Sequence, residues 1–253
     1  MGSDGLKIGV IGAGAWGTAL ALLLARNGNS VQLWCREAET RKDILTNHLN
    51  SSFLADIPLP ETLGASTDLA EVVRNCRILV SSVPSHFTRE IAKKMRPEIT
   101  DEHIIVILSK GIEQHSLALM SEIFAEELDN LPKLAVLSGP TFAREVALDL
   151  PSAAVLACAD ETAGSLLQKC FHSDRFRIYR STDLVGVQLG GSIKNVIAIA
   201  SGIADGMQLG LNARAALICR GVAEMSRLGT AMGGSAETFM GMSGIGDLVL
   251  TAT

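Results

Sequence analysis

Residues 7–21, Lys7-Ile8-Gly9-Val10-Ile11-Gly12-Ala13-Gly14-Ala15-Trp16-Gly17-Thr18-Ala19-Leu20-Ala21, decide how this chain folds. A short apolar run, Lys7–Ile11, leads into glycines at positions 12, 14 and 17, and a helical stretch, Thr18–Asn27, leaves them. Strand, glycine turn and helix in that order predict the opening of a βαβ unit. Gly12 permits the tight turn, Gly14 lets backbone approach a pyrophosphate, and Gly17 lets helix and strand pack closely. The helix N-terminus then offers free N–H groups and a partial positive charge to phosphate. A second apolar run, Val31–Cys35, follows at the distance such a unit needs. A dinucleotide is the expected ligand; a glycine turn used only for packing is the alternative.

Outward from this unit, short β-rich runs alternate with helical stretches as far as about Tyr179. The expected strands are Lys7–Ile11, Val31–Cys35, Ile78–Ser82, Ile104–Leu108, Leu134–Ser138 and Ala153–Ala157. Most are near-continuous apolar runs, as in strands covered on both faces. The alternation predicts an α/β, Rossmann-type doubly wound parallel sheet. From about Ser181 the pattern changes to long Ala/Gly/Ile/Leu segments, Asp183–Ala204 and Ala213–Met232, with Asn212 a candidate N-cap. The reading is a dinucleotide-binding domain at 1–185 followed by an all-helical domain at 186–253. No helix-stop signal precedes Thr253, so the helical region is expected to be incomplete at that end.

Composition narrows the functional class. Of 253 residues, 47% are hydrophobic and 19% charged, which excludes intrinsic disorder. The formal net charge is -5 and Lys and Arg form no block, which disfavours nucleic acid as a partner. Apolar stretches such as Ala19–Ala25 are too short to span a bilayer, so no membrane insertion is expected. No basic start followed by an apolar run suggests a signal peptide. Five cysteines, Cys35, Cys76, Cys158, Cys170 and Cys219, an odd number without Cys-x-x-Cys spacing, read as buried free thiols in a reducing compartment, and the expected location is the cytoplasm. The five histidines never fall at ligand spacing, so no metal is expected.

The remaining candidates sit where such a sheet collects ligands, at the carboxyl ends of its strands. Arg36-Glu37 ends the second strand: an arginine there accommodates the 2′-phosphate of NADP, an acidic residue the ribose hydroxyls of NAD. Position favours NADP, with a solvated surface charge as the alternative. Ser109-Lys110-Gly111 and Ser138-Gly139-Pro140-Thr141 follow two later strands; Lys110 is a lone cation, and Gly139 offers backbone access beside the Thr141 hydroxyl. In the helical region, Gly190-Gly191 interrupts an apolar stretch ahead of Lys194-Asn195, and paired helical glycines imply close approach of something. Lys194 lies among Ile193, Val196 and Ile197, where burial would lower its pKa toward neutrality for proton transfer; a snorkelling lysine is the alternative. Asp247, in Gly244-Ile245-Gly246-Asp247, reads as a helix N-cap.

Taken together, GAGAWGTALA at 12–21, LSKGIE at 108–113, SGPTFAREVA at 138–147, GGSIKNVIAIASGIADG at 190–206 and GMSGIGDLVLT at 241–251 resemble the bacterial type of NAD(P)-dependent glycerol-3-phosphate dehydrogenase. The resemblance implies a Rossmann domain joined to a helical domain similar to that of 6-phosphogluconate dehydrogenase. It implies interconversion of dihydroxyacetone phosphate and sn-glycerol 3-phosphate, feeding phospholipid synthesis, and a possible homodimer. By the same resemblance Lys194 is the general acid/base and Lys110 contacts substrate and cofactor. Gly139, Thr141, Asn195, Asp247 and Thr251 fall at substrate positions, and Ala15, Trp16, Arg36 and Ala143 lie near the cofactor. Family members continue past this motif into a Ser-Arg-Asn stretch whose arginine binds the substrate phosphate. Another two-domain hydroxyacid dehydrogenase, or a non-catalytic NADP-binding module, are the rival readings.

Overall fold

The computed structural model describes residues 6–129 and 132–252. Strands β1 (Lys7–Ile11), β2 (Ser30–Trp34), β3 (Gly64–Ser66), β4 (Ile78–Ser81), β5 (Ile104–Ile107), β6 (Lys133–Ser138), β7 (Ser152–Cys158) and β8 (Phe176–Ser181) carry the first part of the chain. Between them run α1 (Ala15–Arg26), α2 (Ala38–Asn47), α3 (Leu69–Asn75), α4 (Thr88–Met95), α5 (Met120–Glu127), α6 (Ala143–Ala147) and α7 (Glu161–Phe171). Among the described residues no strand follows Ser181. Helices α8 (Leu184–Gly206), α9 (Leu211–Ala231), α10 (Ala236–Phe239) and α11 (Asp247–Ala252) take over, the last entered from a π-helical turn at Met242–Gly246.

The strands form one sheet in the order β3-β2-β1-β4-β5-β6-β7-β8. From β3 to β6 every pairing is parallel, with Ile8 opposite both Val31 and Ile78. The order reverses between β1 and β4, which opens a crevice at their carboxyl ends. β4 and β5 are buried along their whole length, as their unbroken apolar sequences require when helices cover both faces. On α4 the apolar positions recur at Ile91, Ala92 and Met95, all buried, while Glu90 and Lys94 pair at 2.6 Å on the open side.

Three expectations need correction. The sheet is not parallel throughout: β7 runs antiparallel to β6, with Ser138 opposite Val155. The reason is α6, which packs along α1, where Arg26 donates to the Ala147 carbonyl at 2.8 Å. It does not cross the sheet, so the chain re-enters β7 from the end at which it left β6. Two strands lie outside the expected set. β3 is only three residues long, and β8 is a half-buried edge strand whose inward Phe176 and Ile178 alternate with Arg177 and Tyr179. Asn212 is not a cap. α9 starts two residues earlier than expected, at Leu211, after Gly210 at φ 84°, a left-handed geometry that favours glycine.

Asp183 caps α8 by accepting from the Gly186 N–H at 2.7 Å, and its other oxygen accepts from Ser235 N at 2.8 Å and the Thr238 hydroxyl at 2.6 Å. One carboxylate thus satisfies an orphan donor of α8 and ties α10 to it. Leu189 and Ile197 of α8 pack with Val222 and Met225 of α9, Phe239 and Leu248 in a separate apolar core. The tip of the Phe239 ring lies against Gly229, where any Cβ would meet Cζ at 1.9 Å. Among the described residues α8 is the one helix long and apolar enough to cross a bilayer, and its buried face is spent against α9 and α11.

Candidate active site

Two regions converge where the carboxyl ends of β1, β4 and β5 meet α8. The first is a cleft of about 570 Å3 over the glycine turn, lined by Gly12, Gly14, Ala15, Trp16 and Arg36 among others. Gly12 adopts φ 111°, and a Cβ there would sit 2.9 Å from the Ser82 carbonyl oxygen. A Cβ on Gly17 would stand 2.0 Å from the Gly12 carbonyl oxygen, so this glycine serves the close seating of α1 on β1. Gly14 is different: nothing lies within 4 Å of its Cβ position. That open space lies at the start of α1, whose Gly14 N-cap offers no side-chain acceptor to the first-turn N–H groups. Open backbone, unspent donors and a positive helix end fit the pyrophosphate of a dinucleotide.

Arg36 lines this cleft beside the Phe87 ring, with its guanidinium carbon 6.0 Å from the ring centroid, and pairs with Glu37 at 2.7 Å. A cation and a carboxylate therefore stand together where the adenosine ribose would lie, as their places after β2 imply. Ala143, expected near the cofactor, opens α6 and packs against the sheet core. It does not line the cleft.

Several lining residues were not expected: Trp34, Phe53, Phe87, Glu90 and Lys94. Ser82-Val83-Pro84 at the end of β4 was the available signal for Phe87, since β4 flanks the point where strand order reverses. Phe53 carries no comparable signal, because it comes from an irregular segment between α2 and β3.

The second region is built around Asp247, which is 1% exposed. It is not the N-cap its sequence suggests: it has helical backbone, φ -69° and ψ -32°, and continues the π-helical turn into α11, so its carboxylate is used elsewhere. One carboxylate oxygen accepts from Lys110 Nζ at 2.5 Å and the other from Lys194 Nζ. Lys194 Nζ also donates to the Thr251 hydroxyl at 2.8 Å. The chain thus brings Lys110, from the loop after β5, to Lys194 and Asp247, 84 and 137 residues further on. Two ammonium groups on one carboxylate leave a net positive charge, and Lys110, 28% exposed at its side chain, faces solvent. Lys194 is 6% exposed and not a snorkelling residue. Burial first, then the Lys110 charge, lowers its pKa to about 8, against the opposing pull of Asp247.

Small residues make this meeting possible. A Cβ on Gly190 would lie 2.5 Å from the Ser243 carbonyl oxygen, and one on Gly191 would lie 2.9 Å from Ser138 Oγ and 3.4 Å from Lys110 Cγ. The expected close approach is therefore to the turn before Asp247 and to the carboxyl end of β6. Gly139 adopts φ 155° with β7 backbone 3.0 Å from its Cβ position, so packing requires the glycine; Thr141 donates to its carbonyl at 3.3 Å. Asn195 is exposed and takes no part in the bonds joining Lys110, Asp247, Lys194 and Thr251. Ser109 joins the two regions, lining the cleft and donating to the Val83 carbonyl at 2.5 Å, directly before Lys110.

Family profiles described as the N-terminus and C-terminus of NAD-dependent glycerol-3-phosphate dehydrogenase match residues 7–164 and 183–253. A curated relative from Citrifermentans bemidjiense, named glycerol-3-phosphate dehydrogenase, NAD(P)+, is 52% identical over 98% of this chain and 74% of its own length. One of the same name from Nitratidesulfovibrio vulgaris is 48% identical over 98% of this chain and 76% of its own. The crystal structure of glycerol-3-phosphate dehydrogenase from Coxiella burnetii superposes with a TM-score of 0.94 at 43% identity, covering 99% of this chain and 76% of that one.

Proposed function

The chain belongs to the NAD-dependent glycerol-3-phosphate dehydrogenase family, and from that membership we propose how its own residues carry the reaction. It is an oxidoreductase that interconverts sn-glycerol 3-phosphate and dihydroxyacetone phosphate with NADP(H) or NAD(H). The nicotinamide supplies or takes up the hydride when bound. Gly14, with Ala15 and Trp16 in the first turn of α1, holds the pyrophosphate; Arg36 holds the adenosine side and favours NADP. Lys194 moves the proton. As an ammonium it protonates the oxygen that becomes the hydroxyl of glycerol 3-phosphate, and as a neutral amine it takes that proton back. Lys110 steadies the negative charge developing on the same oxygen. Asp247 and Thr251 fix Lys194, while Gly139, Thr141 and Asn195 complete the substrate side.

The observation that supports this reading best is a nearly buried lysine, with its pKa lowered to about 8, sharing one carboxylate with a second lysine beside the cofactor cleft. A pKa near the working pH serves both directions of proton transfer. In this reading the chain divides at 1–185 and 186–253. The reaction runs in the cytoplasm of a homodimeric enzyme and supplies phospholipid synthesis. Four buried thiols support the location, while Cys219, expected to be buried, is exposed: burial pushes Cys35 up to about 12, and Cys76 and Cys170 to about 11, values that keep them unreactive.

The test is NADPH oxidation by dihydroxyacetone phosphate in the whole protein. Lys194→Ala should lower kcat by ~10²–10⁴-fold with NADPH affinity nearly unchanged. Lys194→Arg should fail as well, because guanidinium keeps the charge but holds its proton. Near-normal turnover of the arginine variant would move the acid/base to another residue.

A further inference from the structure

Asn50 belongs to no strand or helix and to none of the assigned roles, yet it is 1% exposed. Its side-chain nitrogen donates to the Ala13 carbonyl at 2.9 Å and to the Thr18 hydroxyl at 2.7 Å. The Thr18 hydroxyl in turn donates to the same carbonyl at 3.3 Å. A carbonyl acceptor requires the nitrogen at that end of the amide, which fixes its orientation. Asn50 Oδ1 is then buried with no hydrogen-bond partner among the described residues. An unpaired buried acceptor is unfavourable, so the two donated bonds have to justify a polar residue at this place.

Ala13 is the residue between the first two glycines of the turn. A trans peptide points its C=O and the following N–H in opposite directions, and the described backbone contains no cis bond. Holding the Ala13 carbonyl inward therefore aims the Gly14 N–H outward, at the open space where a pyrophosphate fits. The residues that follow Asn50 reach the same ligand. Leu54 N–H donates to the Asn50 carbonyl at 2.8 Å, and the loop so closed carries Phe53 to the cleft wall.

We infer that Asn50 is a positioning residue for cofactor binding: its amide turns the Ala13–Gly14 peptide toward the pyrophosphate and anchors the loop that presents Phe53. The inference rests on reading the cleft as the dinucleotide site. Because the pyrophosphate is common to both cofactors, Asn50 acts on NADPH and NADH alike.

Asn50→Leu keeps the branched shape and heavy-atom count of the side chain and adds no charge while removing both donated bonds and the unpaired acceptor. Fluorescence titration of the whole protein should show dissociation constants for NADPH and NADH rising together by about tenfold. The thermal midpoint of the unliganded protein should stay level or rise, and kcat at saturating cofactor should change by less than about twofold. A merely structural asparagine would give the reverse, a lower midpoint with unchanged dissociation constants, and that result overturns the proposal. Thr18→Val, which deletes one hydroxyl from the same knot, should shift both constants in the same direction by a smaller factor. It decides the question if Asn50→Leu does not fold. Wild-type protein that binds neither cofactor would overturn the parent reading of the cleft, whereas wild-type binding with unaltered variants overturns only the role of Asn50.

Discussion

Asp247→Asn removes the carboxylate that both lysines contact and leaves two ammonium groups beside each other. In the native site burial and the Lys110 charge push Lys194 down while Asp247 offsets them, for a pKa of about 8. A pair of unit charges about 4 Å apart at an effective permittivity of about 20 interacts by about 4 kcal/mol, or about three pKa units. Solvent at Lys110 and the asparagine dipole return part of this, so Lys194 should fall from about 8 to about 6–7. Glycerol 3-phosphate oxidation needs the neutral amine, so its acid limb should move to lower pH. Ketone reduction needs the ammonium and should fade sooner as pH rises.

Stability should follow the same shift. The lysine pKa is 10.5 in its ordinary state and lower in the fold, so between those values the unfolded chain binds more protons and stability rises with pH. Extending that window downward costs the variant about 1.4–2.7 kcal/mol below pH ~6, on top of any pH-independent loss, and this part vanishes above about pH 9. Lysine-selective NMR titration of Lys194, with thermal melts across pH, measures both quantities. A Lys194 titration at or above the native value, or a deficit that widens with pH, would refute the account.

Arg36→Ala should weaken NADPH by about 1.5–3 kcal/mol, the value of a charge-assisted contact, and NADH much less; equal losses in parallel titrations would remove Arg36 from 2′-phosphate recognition. Gly17→Ala places a methyl 2.0 Å from the Gly12 carbonyl oxygen. It should both lower the thermal midpoint and weaken both cofactors, as calorimetry and titration on one preparation would show; unaltered binding would mean the turn tolerates a shift of α1.

The fold is legible where one local rule governs. The run Lys7–Ile11, its three glycines and the helix after them obey the rule for dinucleotide turns, and the apolar strands β4 and β5 obey the rule for double burial. The antiparallel entry of β7 is not legible, because it depends on α6 packing against α1, a contact 121 residues apart at Arg26 and Ala147. The candidate site divides the same way. Lys110 and Lys194 stand out as cations in glycine-rich or apolar settings, whereas Asp247 reads as a cap because its partners come from elsewhere in the chain. Asn50 and Phe53 carry no pattern at all, since their roles arise from where an irregular loop crosses the glycine turn.

The paired glycines of α8 bear on how damage to this protein would be classified. Neither carries a side-chain atom, yet a single methyl on Gly191 would press on the Ser138 hydroxyl beside the stem of Lys110, and one on Gly190 would press on the turn that delivers Asp247. In a mutational scan both positions should score with the lysines and not with the core. Loss of turnover would outrun loss of folded protein, because the lesion falls on the spacing between two halves of a charge cluster.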